Sequence, residues 1–246
     1  MTTEYLFNFG FTPSLTGFSN MEIDRMIGEM EPPSCPIVRF YTWNRATISY
    51  GLNQNPLKRL RIEKCLRDGI EIVARPTGGR EILHGWDLCC SVIRPIDERR
   101  SGVDFKDLFG RTNEVFRQGL NRLGITSEHH SVSRKCGFRN GPCFRQIDRG
   151  EISVSGRKII ASAQRIYDRT VLQQSSISIE KPDYDIMDYL QIGKETELKG
   201  ETVNSVAYLE EYVRETFSMS GIVEVFRYAF EMEMGKAGKL NLPGIF

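Results

Sequence analysis

A glycine pair between two short apolar runs is the first candidate for chemistry in this sequence. Arg75-Pro76-Thr77-Gly78-Gly79-Arg80 follows an alternating run at 70–74 and precedes Ile82-Leu83-His84. Glycine adopts positive φ and leaves its N–H uncovered, so this loop can donate backbone hydrogen bonds to a phosphate, a carboxylate or a thioester carbonyl. An ordinary glycine turn would contain the same residues, because short glycine motifs often match by chance.

Cys143 and Lys158 are a second candidate pair. Lys158 begins an apolar and small-residue strand directly after a glycine turn. A thiol attacks a thioester as the thiolate, and a nearby cation lowers the thiol pKa from its usual value of about 8.5. Lys158 could be that cation, or it could bind the acyl carbonyl oxygen beside N–H donors of the glycine loop. The residues alone also allow a buried structural cysteine and a solvated lysine.

Four motifs in fixed order resemble the lipoate-protein ligase and octanoyltransferase family. They are Asn20-x-x-x-Asp24, the TGGR loop followed by ILH, GRKIIASAQR at 156–165 and VLQQSSI at 171–177. Within this family, a Cys-Phe pair fifteen positions before the strand lysine is typical of LipM-type octanoyltransferases, and Cys143-Phe144 lies fifteen positions before Lys158. Glu151 also falls at the matching place. ATP-dependent ligases usually have Asn-Asp in place of Cys-Phe and a third glycine in place of Arg80.

The resemblance implies a fold and a set of site residues. The fold is that of biotin and lipoate ligase catalytic domains, an α/β (α+β) fold with a mixed, largely antiparallel sheet, flanking helices and an apolar tunnel for the acyl chain. In such a tunnel an eight-carbon tail gains about 0.8 kcal/mol per buried CH₂. The implied catalytic residues are Cys143 and Lys158. The implied substrate-binding residues are Arg75, Thr77, Gly78, Gly79, Arg80, Glu81, Ile82, Leu83, His84 and Gln164.

The resemblance also implies an activity, with alternatives that stay open. The first is a cytoplasmic enzyme of protein lipoylation that moves an octanoyl or lipoyl group from acyl-carrier protein to Cys143 and then to a lysine of a lipoyl domain, without a cofactor. The acceptor would be a 2-oxoacid dehydrogenase E2 subunit or the glycine cleavage H protein. The second is a lipoate-protein ligase that uses ATP and Mg²⁺ to form an acyl-adenylate, and the third is a non-catalytic module that binds acyl groups or lipoyl domains.

Three positions depart from the family pattern near the glycine loop. Glu81 stands where alanine is usual, which alters the charge of the pocket. Cys89 and Cys90 replace a threonine and an aromatic residue, and we expect both to be core residues. The sequence after Cys143-Phe144 lacks the acidic and small residues expected there, so the identity of the acyl substrate stays open.

The cysteines and the hydropathy pattern argue against several classes of protein: zinc-binding, membrane-spanning and secreted. No C-x-x-C pair occurs, and His129, His130, Cys136 and Cys143 lack the spacing of paired zinc ligands, so no metal site is expected. No apolar run approaches the roughly 20 residues of a membrane span, and the chain opens without the basic and apolar regions of a signal peptide. Reduced thiols and a cytoplasmic location are therefore expected.

The charge is balanced overall but uneven locally. A formal net charge of +1 argues against a general nucleic-acid-binding protein. The segment from Ser131 to Arg169 contains nine basic residues and three acidic residues. This excess of positive charge suits an acidic carrier protein or lipoyl domain, and a solvated loop would show it equally.

The elements that must position these residues follow from periodicity. The 246 residues are expected to form a single catalytic domain, 1–246, without a separate C-terminal accessory domain. A helix capped by Asn20 is predicted from Ile23, Met26, Ile27 and Met30. Further helices are predicted from Pro56 to Asp68, at 105–123 ending before Gly124, at 203–217 and at 222–230. Strands are predicted at 37–43, 47–50, 70–74, 88–93, 152–154, 158–164 and 171–179.

Overall fold

The computed structural model describes residues 6–96, 101–129, 151–191, 205–213 and 218–241. The helices are α1 (Gly17–Glu29), α2 (Pro56–Arg59), α3 (Ile62–Arg67), α4 (Ser101–Arg122) and α5 (Met219–Met234). The strands are β1 (Phe7–Leu15), β2 (Ile37–Trp43), β3 (Thr47–Gly51), β4 (Glu71–Arg75), β5 (Ile82–His84), β6 (Asp87–Pro95), β7 (Glu128–His129), β8 (Ile152–Val154), β9 (Arg157–Ile166), β10 (Thr170–Ser178) and β11 (Ala237–Lys239). Within these ranges, no helix is both long and apolar enough to cross a lipid bilayer.

Two sheets organise the chain. The large sheet has the order β11-β1-β2-β6-β10-β9-β8-β7, in which β1 runs parallel to β2 and β11 and the other neighbours are antiparallel. The small sheet has the order β4-β3-β5, with a parallel and an antiparallel pair. The predicted α+β fold with a mixed, largely antiparallel sheet is confirmed. The glycine loop lies at one end of the small sheet, between β4 and β5.

The large sheet is covered by helices on both faces. Successive strand residues point to opposite faces, and β2 shows the alternation directly. Val38 and Phe40 belong to the main core, where Phe40 packs against Phe226 of α5 at a centroid distance of 5.9 Å. Ile37, one position before Val38, packs against Ile23 of α1 on the opposite face. The same alternation in β6 places its odd-numbered and even-numbered residues on different faces.

A buried ion pair joins α1 to the large sheet. Arg39 of β2 and Asp24 of α1 are both fully buried, and their closest N–O distance is 2.7 Å. Arg39 also donates to the Asn20 side-chain oxygen at 2.6 Å and to Thr12 Oγ1 at 3.0 Å. Gln174 of β10 donates to the second Asp24 oxygen at 2.7 Å. The ion pair is therefore embedded in partners that satisfy most of its hydrogen-bonding groups.

The predicted start of α1 was wrong. The helix begins after Thr16, whose hydroxyl accepts the N–H of Ser19, and the Glu71 carboxylate accepts the N–H groups of Gly17 and Phe18. Both groups satisfy donors that the first turn cannot pair internally. Asn20 lies inside the helix and uses its side chain on Arg39 and on the Thr42 carbonyl instead.

Other predicted boundaries changed where tertiary contacts outweighed periodicity. The helix predicted from 56 to 68 is divided into α2 and α3 at Leu60, which is extended and fully buried. The helix predicted at 203–217 was wrong for its described part, because 205–207 pairs with Lys158 and only Leu209–Glu211 forms a 3-10 turn. Strands β1, β5, β7 and β11 were not predicted.

We expect Asp24→Ala to lower the free energy of unfolding by about 3–5 kcal/mol, because it leaves the Arg39 charge buried without its carboxylate. Urea unfolding followed by circular dichroism measures this change. Glu22→Ala is the matched control on the same helix, since Glu22 is exposed and pairs only with solvent-facing Arg25. Equal effects of the two changes would contradict a special role for the buried pair.

Candidate functional site

The glycine loop is shaped by a close approach of β3. A Cβ on Gly51 would lie 2.2 Å from the Gly79 carbonyl oxygen, so only glycine fits at the end of β3. Gly79 has φ +97°, a left-handed conformation that favours glycine. A Cβ on Gly78 would meet no atom within 4 Å, so this residue faces open space. The loop is thus held on one side by the protein and is open at Gly78 to a ligand.

Arg75 holds the loop in place. Its guanidinium donates to the Ser49 carbonyl at 2.9 Å and to Ser49 Oγ at 2.7 Å. It also donates to the carbonyl oxygens of Gly78, at 3.0 Å, and Arg80, at 2.7 Å. The planar fork of arginine can make such contacts at once, which lysine cannot. Arg75 therefore organises the loop that would contact a substrate.

A buried polar cluster continues from Ser49 through the short connection between β5 and β6. His84 Nε2 lies 2.6 Å from Ser49 Oγ, and His84 Nδ1 lies 2.7 Å from Asp87 Oδ2. Asp87 Oδ2 also accepts from Ser176 Oγ at 2.6 Å and from Cys89 Sγ at 3.2 Å. Every member of this cluster is at most 6% exposed. Ser49 Oγ contacts both His84 and Arg75, so hydrogen bonds connect the His84 imidazole to the glycine loop.

The protonation states within this cluster follow from its contacts. Burial raises the pKa of the Asp87 carboxyl, but the charge of His84 and the hydrogen bonds from His84, Ser176 and Cys89 outweigh burial and keep the pKa below its usual value. Burial raises the pKa of the Cys89 thiol far above its usual value, and the Asp87 charge adds to this effect. Asp87 is therefore ionised and Cys89 is a thiol at neutral pH.

Thr77 and Glu81 attach the loop to two other parts of the protein. Thr77 Oγ1 donates to Gln174 at 2.6 Å, and Gln174 in turn contacts Asp24. Glu81 is fully buried and forms two hydrogen bonds with Arg59, at 2.7 and 2.8 Å. Burial raises the Glu81 pKa, but the Arg59 and backbone hydrogen bonds outweigh it and the pKa lies below its usual value. The negative charge predicted at Glu81 is thus balanced by Arg59.

Lys158 is fully buried beside Glu151. The Nζ atom lies 2.6 Å from a Glu151 carboxylate oxygen. The backbone of Lys158 pairs with 205–207, donating to the Ser205 carbonyl and accepting from the Ala207 N–H, both at 2.9 Å. The sequence alternative of a solvated surface lysine is therefore wrong.

Two cavities adjoin the glycine loop. A large open cavity of about 580 Å³ lies between residues 81–87 and the segments around 180–186 and 205–211. A small buried pocket of about 20 Å³ lies beneath the loop, and Ile82 and Ser176 line both spaces. The small pocket has room for about one water molecule. An acyl tail could enter this small pocket only if its lining side chains moved.

The predicted site residues divide between these spaces. Arg75, Thr77, Ile82 and His84 line the small pocket, whereas Glu81, Ile82 and Leu83 line the large cavity. Gln164 instead bonds to Gln173 across β9 and β10 at 3.1 Å. Lys158 lies beside the cavity segment 205–207. Cys143 lies outside the described residues, as do His130 and Cys136 of the excluded zinc site.

Several residues of this site were not predicted from the sequence. They are Trp43, Ser49, Asp87, Cys89, Gln174 and Ser176. Asp87 and Cys89 share one strand face with period two, three and five positions after His84, and this spacing was the available signal. The contribution of Ser49 and Gln174 depends on pairing between distant strands, which a single sequence does not display.

Comparisons with known proteins agree on one family. The family model of the lipoyl protein ligase A/B catalytic domain matches residues 16–231. Octanoyltransferase LipM of Carboxydothermus hydrogenoformans is 28% identical over 223 residues, covering 88% of this chain and 82% of that protein. Octanoyltransferase LipM of Bacillus subtilis is 28% identical over 224 residues, covering 86% and 80%.

Solved structures show the same fold. A bipartite lipoate protein ligase from Thermoplasma acidophilum, studied with its E2 lipoyl domain, matches with TM-score 0.79 and 17% identity, covering 98% of this chain and 89% of that chain. Lipoate-protein ligase A bound with ATP matches with TM-score 0.75 and 18% identity, covering 99% and 91%.

We expect Arg75→Lys to increase hydrogen exchange of the amides at 77–80 by tenfold or more, because several buried hydrogen bonds of the loop are lost. Deuterium uptake of peptides covering the loop measures this, without any substrate. Arg45→Lys is the control, since Arg45 is exposed on the turn before β3. Unchanged uptake in Arg75→Lys would show that the loop does not depend on this guanidinium.

Proposed function

The chain belongs to the lipoyl protein ligase A/B catalytic domain family, and we propose that it transfers an octanoyl or lipoyl group to a lysine of a lipoyl domain through a thioester on Cys143. The observation that carries this proposal is the buried Lys158–Glu151 pair, 2.6 Å apart. Glu151 is the first described residue after the segment that contains Cys143, eight positions later. The ends of that segment, His129 and Ile152, pair in the sheet beside β9.

The proposed reaction has two acyl transfers. In the first, the Cys143 thiolate attacks the thioester carbonyl of an acyl-carrier protein, a bond forms between sulfur and acyl carbon, and the carrier thiol leaves. In the second, the neutral amine of the acceptor lysine attacks the new thioester, the amide forms and the Cys143 thiolate leaves. No cofactor is needed, because the acyl group arrives already activated as a thioester.

The ammonium of Lys158 suits the charge that develops in both steps. Each tetrahedral intermediate places negative charge on the former carbonyl oxygen, and a fixed donor in a dry site stabilises it. The Nζ atom carries three N–H donors and lies 2.6 Å from the Glu151 carboxylate. Glu151 supplies a counter-charge that makes burial of Lys158 tolerable, and it orients the ammonium.

The large cavity supports a lysine acceptor better than a nucleotide. Its acidic lining residues are Glu81, Asp87, Glu180, Asp183, Asp185, Glu210 and Glu211, against the basic residues Arg157 and Lys181. An excess of carboxylates attracts the ammonium group of a lysine and repels a triphosphate. Trp86 and Tyr184, packed edge to face at 5.8 Å, add aromatic faces that suit a cation. These features support a lysine acceptor, which the transferase and the ATP-dependent ligase share.

The proposed partners and location follow from this chemistry. The acceptor is a lipoyl domain of a 2-oxoacid dehydrogenase E2 subunit or of the glycine cleavage H protein, and the donor is an acyl-carrier protein. The basic excess between 131 and 169 suits the acidic surface of such partners. The described cysteines, Cys35, Cys65, Cys89 and Cys90, are all free thiols, as in a reducing cytoplasm.

We expect octanoyl-carrier thioester alone to add one octanoyl group to the protein, and Cys143→Ser to abolish transfer to a lipoyl domain. Intact-mass spectrometry detects the acyl-enzyme and the modified acceptor. Cys35→Ser is the control thiol and should retain both products. Full activity of Cys143→Ala with octanoate and MgATP would establish the ligase instead. Loading of no acceptor from either donor would favour the non-catalytic binding module.

We expect Lys158→Met to lower the rate of acyl transfer by about 10²–10³-fold, as for loss of an oxyanion donor. The single change also leaves Glu151 buried without its cation, so the double variant Lys158→Met/Glu151→Gln separates chemistry from folding. Thermal unfolding should recover in the double variant while acyl transfer stays slow. Recovery of transfer together with stability would show that the pair is only structural.

A further inference from the structure

We propose that His84, Asp87 and Cys89 form a binding site for one divalent transition-metal ion, with Zn²⁺ as the preferred ion, on the wall of the small pocket. The three ligand atoms, His84 Nδ1, Asp87 Oδ2 and Cys89 Sγ, all lie within 4.8 Å of one another and all three residues are buried. This inference does not depend on the proposed acyl transfer.

The distances are close to those of a tetrahedral zinc site. Zinc bonds of about 2.0–2.3 Å to N, O and S place ligand atoms about 3.4–3.6 Å apart. Cys89 Sγ lies 3.8 Å from His84 Nδ1 and 3.2 Å from Asp87 Oδ2. His84 Nδ1 and Asp87 Oδ2, now 2.7 Å apart, would have to separate by about 0.7 Å.

The metal would replace protons that now lie between these three atoms. Asp87 Oδ2 accepts hydrogen bonds from Cys89, His84 and Ser176. On metal binding, the thiol proton of Cys89 is released to solvent and the Nδ1 proton of His84 leaves that nitrogen, so that the neutral imidazole carries its one proton on Nε2. Ser176 keeps its hydrogen bond to Asp87. One thiolate and one carboxylate then balance the two positive charges of the ion, which a buried site requires.

The Nε2 side of the imidazole already faces an acceptor for the proton of this tautomer. A metal-bound histidine almost always donates its other ring N–H to a fixed acceptor. His84 Nε2 lies 2.6 Å from Ser49 Oγ, a hydroxyl that can accept this proton while also accepting from Arg75. Metal binding at Nδ1 would therefore fix Ser49 and Arg75, and through Arg75 the carbonyl oxygens of the glycine loop.

The small pocket has room for the fourth ligand of the metal ion. His84, Cys89 and Ser176 line this pocket, whose volume of about 20 Å³ accommodates one water molecule. Trp43 lines it too, and its buried indole N–H lies beside the Cys89 thiol. A metal-bound water would supply an acceptor in this pocket. The mixture of imidazole, thiolate and carboxylate ligands suits Zn²⁺ rather than Mg²⁺ or Ca²⁺.

Cobalt substitution tests the site directly, since Co²⁺ bound by a thiolate in tetrahedral geometry gives a charge-transfer band and strong visible bands. Chelator-treated, reduced full-length protein should bind one Co²⁺ with these bands, and Zn²⁺ should displace it. Cys90→Ser is the matched control, because Cys90 is the adjacent buried thiol and packs into the main core on the other face. Cys90→Ser should keep the bands, whereas Cys89→Ser should lose them.

Competition with a chromophoric chelator measures the affinity for Zn²⁺. Cys89→Ser should weaken it by at least about a hundredfold and Ser49→Ala by about tenfold. Circular dichroism checks that each variant folds, and His84→Gln replaces Cys89→Ser if the latter does not. Absence of a thiolate band in the unchanged protein would overturn the proposal. Retention of the band in Cys89→Ser, or its loss only in Cys143→Ser or Cys136→Ser, would also overturn it.

Discussion

The burial of the Arg39–Asp24 ion pair between α1 and the large sheet is the constraint on which the rest of this structure depends. A charged pair without water is tolerable only when its remaining donors and acceptors are satisfied. The partners recruited here include Asn20 on α1 and Gln174 on β10. Gln174 then bonds to Thr77, so the same network that holds the helix against the sheet also holds the glycine loop.

A second network reaches the loop from the opposite side. Arg75 joins the loop carbonyls to Ser49, and Ser49 joins them to the His84–Asp87 pair. The loop is therefore held by two buried polar networks. Such satisfied networks specify one arrangement, because each member loses its partner if the loop moves. A rigid loop with one open side at Gly78 is the kind of surface on which a carbonyl oxygen can be positioned.

The charges around the site explain how one family can support different acyl donors. Glu81 and Lys158 are both fully buried, and each is balanced by one opposite charge, from Arg59 and Glu151 respectively. The large cavity, by contrast, is rich in carboxylates. A thioester, which carries no phosphate at its reacting carbon, fits this balance. Replacement of a few of these residues would change the preferred donor without a change of fold.

The sequence by itself determined the family, the α+β class, most strands and the glycine loop, because these depend on local periodicity and on motifs in fixed order. It identified Lys158 but not that the lysine is buried against Glu151. It placed Asn20 at a helix start, whereas Thr16 and Glu71 occupy that role. Ser49, Gln174 and the His84–Asp87–Cys89 cluster emerged only from the tertiary structure. The proximity of Ser49 and Gln174 to the site depends on which strands pair and in what register, and such long-range pairing is set by the packing of the whole chain.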